Sequence, residues 1–125
     1  MRKADVLPPV RERELKMSCI FCKIANKEIK SGIVHENGTV IAFDDIAPQA
    51  PVHVVIIPKK HILDVSGLNE VLEDIFSAVD QVAEIKGVKD PGFRVVMNKG
   101  KDAGQAVDHL HFHLLGGRPL KWPPG

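Results

Sequence analysis

Apolar residues either alternate with polar ones or form short β-branched runs in five segments of the chain, and both patterns are typical of β-strands. The segments are residues 33–36, 39–45, 50–58, 93–98 and 109–115. Asn37-Gly38 separates the first two and is a strong signal for a hairpin turn, while Pro58 closes the third. Residues 40–43 are all apolar and should be buried. The pattern predicts five strands.

Apolar residues recur at helical spacing in two further places. The longer one, from about Leu68 to Lys86, predicts a single amphipathic helix whose apolar stripe faces the core. The shorter one, which starts near Ile20, predicts a short helix followed by a turn. Because strands lie on both sides of the long helix in the sequence, we expect an α+β fold. Its core is a five-stranded antiparallel sheet, on which one long helix and a short N-terminal helix pack.

The fifth segment carries a histidine at every second position. In a strand, the imidazoles of His109, His111 and His113 project from one face, and the apolar residues between them project from the other. Three imidazoles along about 13 Å of strand are not a packing device, because each buried ring nitrogen needs its own partner. Taken alone, the pattern is typical of a metal site, or of a polar strand that faces solvent.

The glycine-rich run before these histidines, residues 100–106, favours a different chemistry. Its backbone N–H groups could hold an anion next to the imidazoles. Neutral imidazole is a nucleophile and a general base at pH 7. The combination therefore indicates chemistry on an oxyanion, and phosphate is the natural candidate.

Composition and charge narrow the class of protein. The chain has 125 residues, 44% of them hydrophobic, which is enough for one domain with a real core but too few for two. The formal net charge of +1 argues against a nucleic-acid or membrane partner held by bulk electrostatics. We expect a cytoplasmic location, because no apolar run approaches a membrane span and no hydrophobic signal region is visible. Residues 1–17 are charged and broken by prolines, and they predict a flexible arm before a domain over residues 18–125.

The run His-Leu-His-Phe-His-Leu-Leu resembles the motif of the histidine-triad (HIT) family, and the Trp-Pro-Pro-Gly ending resembles the C-terminus of its Hint branch. The resemblance extends from about Cys19 to Gly125. It implies a HIT-like fold, usually as a homodimer whose sheet continues across the two subunits. It also implies a hydrolase of purine nucleoside phosphoramidates, such as AMP joined to an amine. That hydrolase would bind AMP, GMP or an adenosine-like ligand and would need no catalytic metal.

The same resemblance gives each histidine of the site a role. His111 would be the nucleophile that attacks phosphorus and forms a nucleotidyl-histidine, and His109 would be a further catalytic residue. His113 would bind phosphate oxygens, and His53 would relay a proton near the leaving group. For His53 the alternative is a histidine that is simply hydrogen-bonded within its strand.

The nucleotide-binding residues that the resemblance implies form two groups. Phosphate contacts are expected from Asn98, Gly104, Gln105 and Ala106. Asp45 would accept both ribose hydroxyls, since a carboxylate has two acceptor oxygens. The apolar slot for the base would consist of Ile20, Phe21, Ile24, Phe43 and Ile46. These five side chains are equally compatible with an ordinary core.

Three further positions bear on activity. Trp122 would reach the site of the partner subunit, unless it is an exposed aromatic in a proline-rich tail. Ala106 stands where many Hint sequences have a serine that contacts the scissile nitrogen, so we expect slower turnover. Asp108 replaces the bulky residue often found before the triad, and its carboxylate either orients His109 or faces solvent.

Cys19 and Cys22 are spaced as in zinc-carrying HIT proteins, in which two histidines complete the site. The matching residues here are His61 and His109, and two thiolates with two imidazoles make a closed structural zinc site. The alternative is that both cysteines are small buried apolar residues. A redox role is disfavoured, because no βαβ pattern surrounds the pair.

Two other functions remain open beside the phosphoramidase. One is a dinucleoside polyphosphate hydrolase or nucleotidyltransferase of another HIT branch, which the Trp-Pro-Pro-Gly ending disfavours. The other is a nucleotide-binding or scaffold protein with vestigial catalysis, which Ala106 favours.

Overall fold

The computed structural model describes residues 18–125, so the arm predicted for residues 1–17 lies outside the described residues. Among the described residues, the α-helices with complete bounds are α1 (Ile20–Ala25) and α2 (Leu72–Ile85). The strands are β1 (Ile33–Glu36), β2 (Val40–Asp44), β3 (Val52–Pro58), β4 (Phe93–Met97) and β5 (Phe112–Gly116). Two short 3₁₀ segments, Val65–Glu70 and Lys101–Ala103, complete the description.

The five strands form one antiparallel sheet in the order β1-β2-β3-β5-β4, which confirms the predicted α+β fold. The register places Phe43 of β2 opposite Val55 of β3, and Val55 opposite His113 of β5. Residues that face each other in a ladder project from the same side of a sheet. The side chains of Phe43, Val55 and His113 therefore lie next to one another on the same face of the sheet.

Each face of the sheet has its own apolar core. The face under α2 holds the larger one, to which Leu110, Phe112 and Leu114 contribute as predicted. The opposite face, under α1, holds a smaller one around Ile24 and Phe43. Residues 40–43 are 5% exposed or less and thus buried, as their apolar character predicts. The histidine face of β5 is the α1 face, because His113 shares it with Val55.

The helix predicted from Leu68 to Lys86 is shorter than the sequence suggests. A 3₁₀ segment covers Val65–Glu70, and α2 starts only at Leu72, after Val71 with φ −125°. The Asp64 side chain caps the 3₁₀ segment by accepting the Ser66 N–H. Gly67 is pressed against Ile62, where a Cβ would lie 2.6 Å from a methyl carbon. Because of these local contacts, Leu68 belongs to the 3₁₀ segment and not to α2.

The predicted triad strand is also wrong in its first half, because regular pairing begins at Phe112 rather than at His109. The N–H of Leu110 donates to the Ile62 carbonyl, and that of His109 donates to the Val107 carbonyl. Those groups bond within loops instead of to a neighbouring strand. The alternation of side chains nevertheless continues through this extended stretch.

Within residues 18–125, none of the helices is both long and apolar enough to cross a membrane.

Candidate active site

His111 is buried at the start of β5 and has a defined tautomer. Its Nδ1 lies 2.8 Å from the carbonyl oxygen of His109, which can only accept a hydrogen bond. Nδ1 therefore carries the proton in the neutral ring, and Nε2 keeps its lone pair. The ring of Phe21 lies edge-on against His111, with centroids 5.0 Å apart, and fixes the plane of the imidazole. This is the state that a nitrogen nucleophile needs.

His53 and His113 form a second ordered pair on neighbouring strands. The backbone N–H of Gln49 donates to Nδ1 of His53 at 3.0 Å, so the ring proton of neutral His53 is on Nε2. That Nε2 lies 2.9 Å from Nδ1 of His113 and 3.4 Å from a carboxylate oxygen of Asp45. His113 accepts from His53 and therefore carries its own proton on Nε2.

Burial keeps two of these imidazoles neutral at physiological pH. The pKa of His113 is lowered to about 4, mainly by burial and less by the nearby His111 and His53, while Asp45 opposes the shift. Burial likewise lowers the pKa of His109 to about 4, although the bond to the Pro58 carbonyl opposes this. A neutral His113 supports the tautomer assignment above.

A cavity of about 520 Å³ opens beside the triad, a size typical of small-molecule sites. All six residues predicted to bind the nucleoside line it, together with Gly104, Ala106, His111 and His113. Ile24 and Phe43 are buried at its base, but Ile46 is 98% exposed and Ile20 is 46% exposed. These two isoleucines thus form the lip of the cavity rather than a closed slot, and their binding role remains a prediction.

The glycine loop borders the same cavity through Gly104 and Ala106. It turns at Gly104, whose φ of +80° favours glycine. The N–H groups of Gly104 and Gln105 donate to the carbonyls of Lys101 and Gly100 within the loop. The Gln105 side chain braces it further, since it accepts from the Gly100 N–H and donates to the Leu63 and Val107 carbonyls. Phosphate binding by these two amides would require them to exchange partners.

Three further positions singled out from the sequence lie outside the cavity lining. Asn98 follows the end of β4 and is half-buried. Trp122 is 80% exposed, and its ring lies 6.0 Å from the guanidinium of Arg94 at the surface of the same chain. Asp108 is exposed, and the His109 ring takes its partners elsewhere. The sequence reasoning missed Val107, Lys30 and Ser31 in the lining, because loop residues carry no periodic signal.

Cys19, Cys22, His61 and His109 converge on one point, with all four ligand atoms within 4.8 Å of one another. Nδ1 of His109 lies 3.4 Å from the sulfur of Cys19 and 3.6 Å from that of Cys22. Nδ1 of His61 lies 3.1 Å from the Cys22 sulfur. Ligands around a tetrahedral zinc are about 3.5 Å apart.

The protonation state of His109 also suits a metal. Its Nε2 donates to the Pro58 carbonyl at 2.9 Å, so the lone pair of Nδ1 points to the thiols. The four residues could bind a metal ion such as zinc.

Comparison with known proteins identifies the class to which this fold and site belong. Residues 26–120 match the HIT domain, so the chain belongs to the HIT family. A HIT-like protein of Synechocystis sp. is 46% identical over 110 residues, which cover 85% of this chain and 96% of that protein.

Solved structures of HIT family proteins have the same fold as this chain. A HIT family hydrolase from Legionella pneumophila has a TM-score of 0.82 and 45% identity, over 86% of this chain and all of its own. A histidine triad nucleotide-binding protein from Candida albicans has a TM-score of 0.74 and 37% identity, over 83% of this chain and 85% of its own.

Proposed function

We propose that this protein is a hydrolase of purine nucleoside phosphoramidates of the AMP-amine type, from the Hint branch of the HIT family. The observation that carries the proposal is the unprotonated Nε2 of His111, on a ring that lines a largely apolar cavity. A nucleophile without a proton and a slot for a base are what a nucleotidyl-transfer step requires. The Legionella relative is named a hydrolase and the Candida relative a nucleotide-binding protein, which agrees with both halves of the proposal.

The reaction proceeds in two steps. The Nε2 lone pair of His111 attacks the α-phosphorus, the N–P bond forms, and the P–N bond to the amine breaks. The leaving amine takes the proton from Nε2 of His53, and solvent water returns a proton to that nitrogen. Water then attacks the phosphorus of the nucleotidyl-histidine and gives its proton to solvent, the P–N bond to His111 breaks, and the nucleoside monophosphate leaves. The Nε2–H of His113 stabilises the charge on the phosphate oxygens.

The nucleoside lies in the cavity between the triad and the lip. The base packs against Phe21 and Phe43, whose rings are themselves in edge-on contact with centroids 5.7 Å apart. Asp45 accepts from the ribose hydroxyls with the carboxylate whose other contacts are the Ala47 N–H and His53. A largely apolar lining that includes two carboxylates, Asp44 and Asp45, and one lysine, Lys30, favours a nucleoside over an extended polyphosphate.

We further propose that the protein is a homodimer and that each chain binds one structural zinc. The edge strand β4 and the exposed Leu72 and Phe76 of α2 offer a surface for a second subunit, to whose site Trp122 would contribute. Zinc would be held by the four-residue cluster described above and would tie α1 to the triad stretch. It supplies structure, and no step of the reaction passes through it.

A product assay separates the proposed activity from its alternatives. We expect steady-state release of AMP from an adenosine phosphoramidate at least tenfold faster, in kcat/KM, than from a diadenosine polyphosphate. The reverse order would assign the protein to a dinucleoside polyphosphate hydrolase branch. Tight AMP binding without turnover of either compound would favour a nucleotide-binding protein with vestigial catalysis.

Ala106 is exposed and lines the cavity beside His111 and His113. We expect Ala106→Ser to raise the turnover of a phosphoramidate, because the hydroxyl can donate to the scissile nitrogen. One such hydrogen bond is worth about 1 kcal/mol, or about fivefold in rate. Ala103→Ser in the same loop is the control for added polarity alone. An unchanged rate in Ala106→Ser would remove the proposed link between this position and slow turnover.

A further inference from the structure

Arg118, in the turn that follows β5, binds the loop before β3. Its Nη2 donates to the Gln49 carbonyl at 3.1 Å, and its Nη1 donates to the Pro119 carbonyl at 3.1 Å. The register of β3 and β5 explains the meeting, because Val52 faces Gly116 at the end of the ladder. Gly117 then turns with φ of +90° close to Pro51, where a Cβ would lie 2.9 Å from the proline ring. The tail is thus fitted against this loop.

Gln49 is the residue that orients His53. Its carbonyl accepts from Arg118, and its own N–H donates to Nδ1 of His53 at 3.0 Å. The other hydrogen bonds of the loop are short-range. The Gln49 side-chain amide donates to the Ala47 carbonyl, and the Ala47 N–H donates to the Asp45 carboxylate. Arg118 therefore anchors, across 69 residues of the chain, the carbonyl of the residue whose N–H selects the His53 tautomer.

We propose that Arg118 is a positioning residue, which acts through the Gln49 backbone to hold His53 in its Nε2–H tautomer. The consequence for turnover rests on the function proposed above, whereas the consequence for the ring does not. A continuous series of donors results: Arg118 to Gln49, Gln49 to His53, and His53 to His113. An exposed arginine that does not itself line the cavity thereby decides that His113 carries its proton on Nε2.

The other tautomer of His53 breaks this series. With the proton on Nδ1, the ring would face the Gln49 N–H donor to donor, and its Nε2 lone pair would face the Nδ1 lone pair of His113 across 2.9 Å. A change of tautomer in His113 would relieve the second contact but not the first, so the alternative becomes populated only when the Gln49 N–H moves away. Removal of the Arg118 tether allows that movement.

The test combines a spectroscopic and a kinetic measurement on the full chain. Nitrogen-15 NMR of the histidine rings, without nucleotide, reports which nitrogen of His53 is protonated. We expect Nε2–H in the wild type, a mixture of tautomers in Arg118→Gln, and recovery of Nε2–H in Arg118→Lys, which keeps a charged donor on a side chain of similar length. With a phosphoramidate, kcat of Arg118→Gln should fall by about fivefold with KM changed less than twofold, as expected when about a fifth of the molecules keep the Nε2–H tautomer.

Lys121→Gln is the matched control, because it removes one positive charge from the same exposed tail. Arg118 and Lys121 are exposed, so neither variant disturbs the core. A His53 spectrum unchanged by Arg118→Gln would overturn the proposal, as would a kcat equal to that of Lys121→Gln. If the wild type turns over no phosphoramidate, the proposed function fails, and the spectra still decide whether Arg118 sets the tautomer.

Discussion

His111→Asn should lower kcat for a nucleoside phosphoramidate by about a thousandfold or more, because it removes the nitrogen that forms the covalent intermediate. The asparagine amide can still donate to the His109 carbonyl, which now accepts from Nδ1 of His111 at 2.8 Å. The apolar slot around Phe21 and Phe43 is left intact, so the Kd for AMP should change less than about threefold. Steady-state kinetics and calorimetric titration with AMP measure the two effects separately.

His35→Asn is the matched control for this variant. His35 lies on β1 opposite Ala42, a residue of the α2-side core, so its side chain is on the other face of the sheet. The same chemical change there should leave both kcat and AMP affinity as in the wild type. Turnover of His111→Asn above a tenth of the wild-type rate would exclude His111 as the nucleophile. Loss of AMP binding together with turnover would show that the histidine only shapes the pocket.

The second large effect is expected at the Cys and His cluster. Protein purified without an affinity tag or chelator should hold about one zinc per chain, and Cys22→Ala should hold less than a tenth of that. A metal present at a thousandfold over its Kd adds about 4 kcal/mol to the free energy of unfolding. For a domain of this size the variant should therefore melt on the order of 15 °C lower.

The choice of Cys22→Ala separates zinc binding from simple packing. If the buried Cys22 is only a small apolar residue, replacement by alanine costs about 1 kcal/mol and leaves the metal content of the protein unchanged. His61→Asn tests the ligand set from the other side, with His35→Asn as its control. A zinc content far below one per wild-type chain, even after reconstitution, would contradict the proposed site.

The sequence by itself determined the types of secondary structure and the order of the elements. It also determined which residues of the triad stretch face the core. Alternating apolar positions have a period of two, and this local property predicted five strands and the burial of Leu110, Phe112 and Leu114. The Cys-x-x-Cys pair and the glycine run were visible for the same reason, since their spacing is short. Residues close in the chain constrain each other without knowledge of the rest.

Tertiary structure decided where the triad strand begins and which tautomer His109 and His113 adopt. The triad strand starts late because Leu110 bonds to the distant Ile62, whereas the long helix starts late because of a local contact, the Asp64 cap of the preceding 3₁₀ segment. Neither contact involves a repeating pattern, so no periodicity predicts it.

The protons of the histidines depend on contacts that are still more distant in the chain. The carbonyl of Pro58 lies 51 residues from His109, and the carbonyl of Gln49 lies 69 residues from Arg118. Hydrogen bonds of this kind form only after the strands have paired in register, because the register brings their backbone groups within about 3 Å. The sequence thus supplied the chemical groups of the site, and the paired strands brought together the distant partners that decide which nitrogen of His109 and of His113 carries the proton.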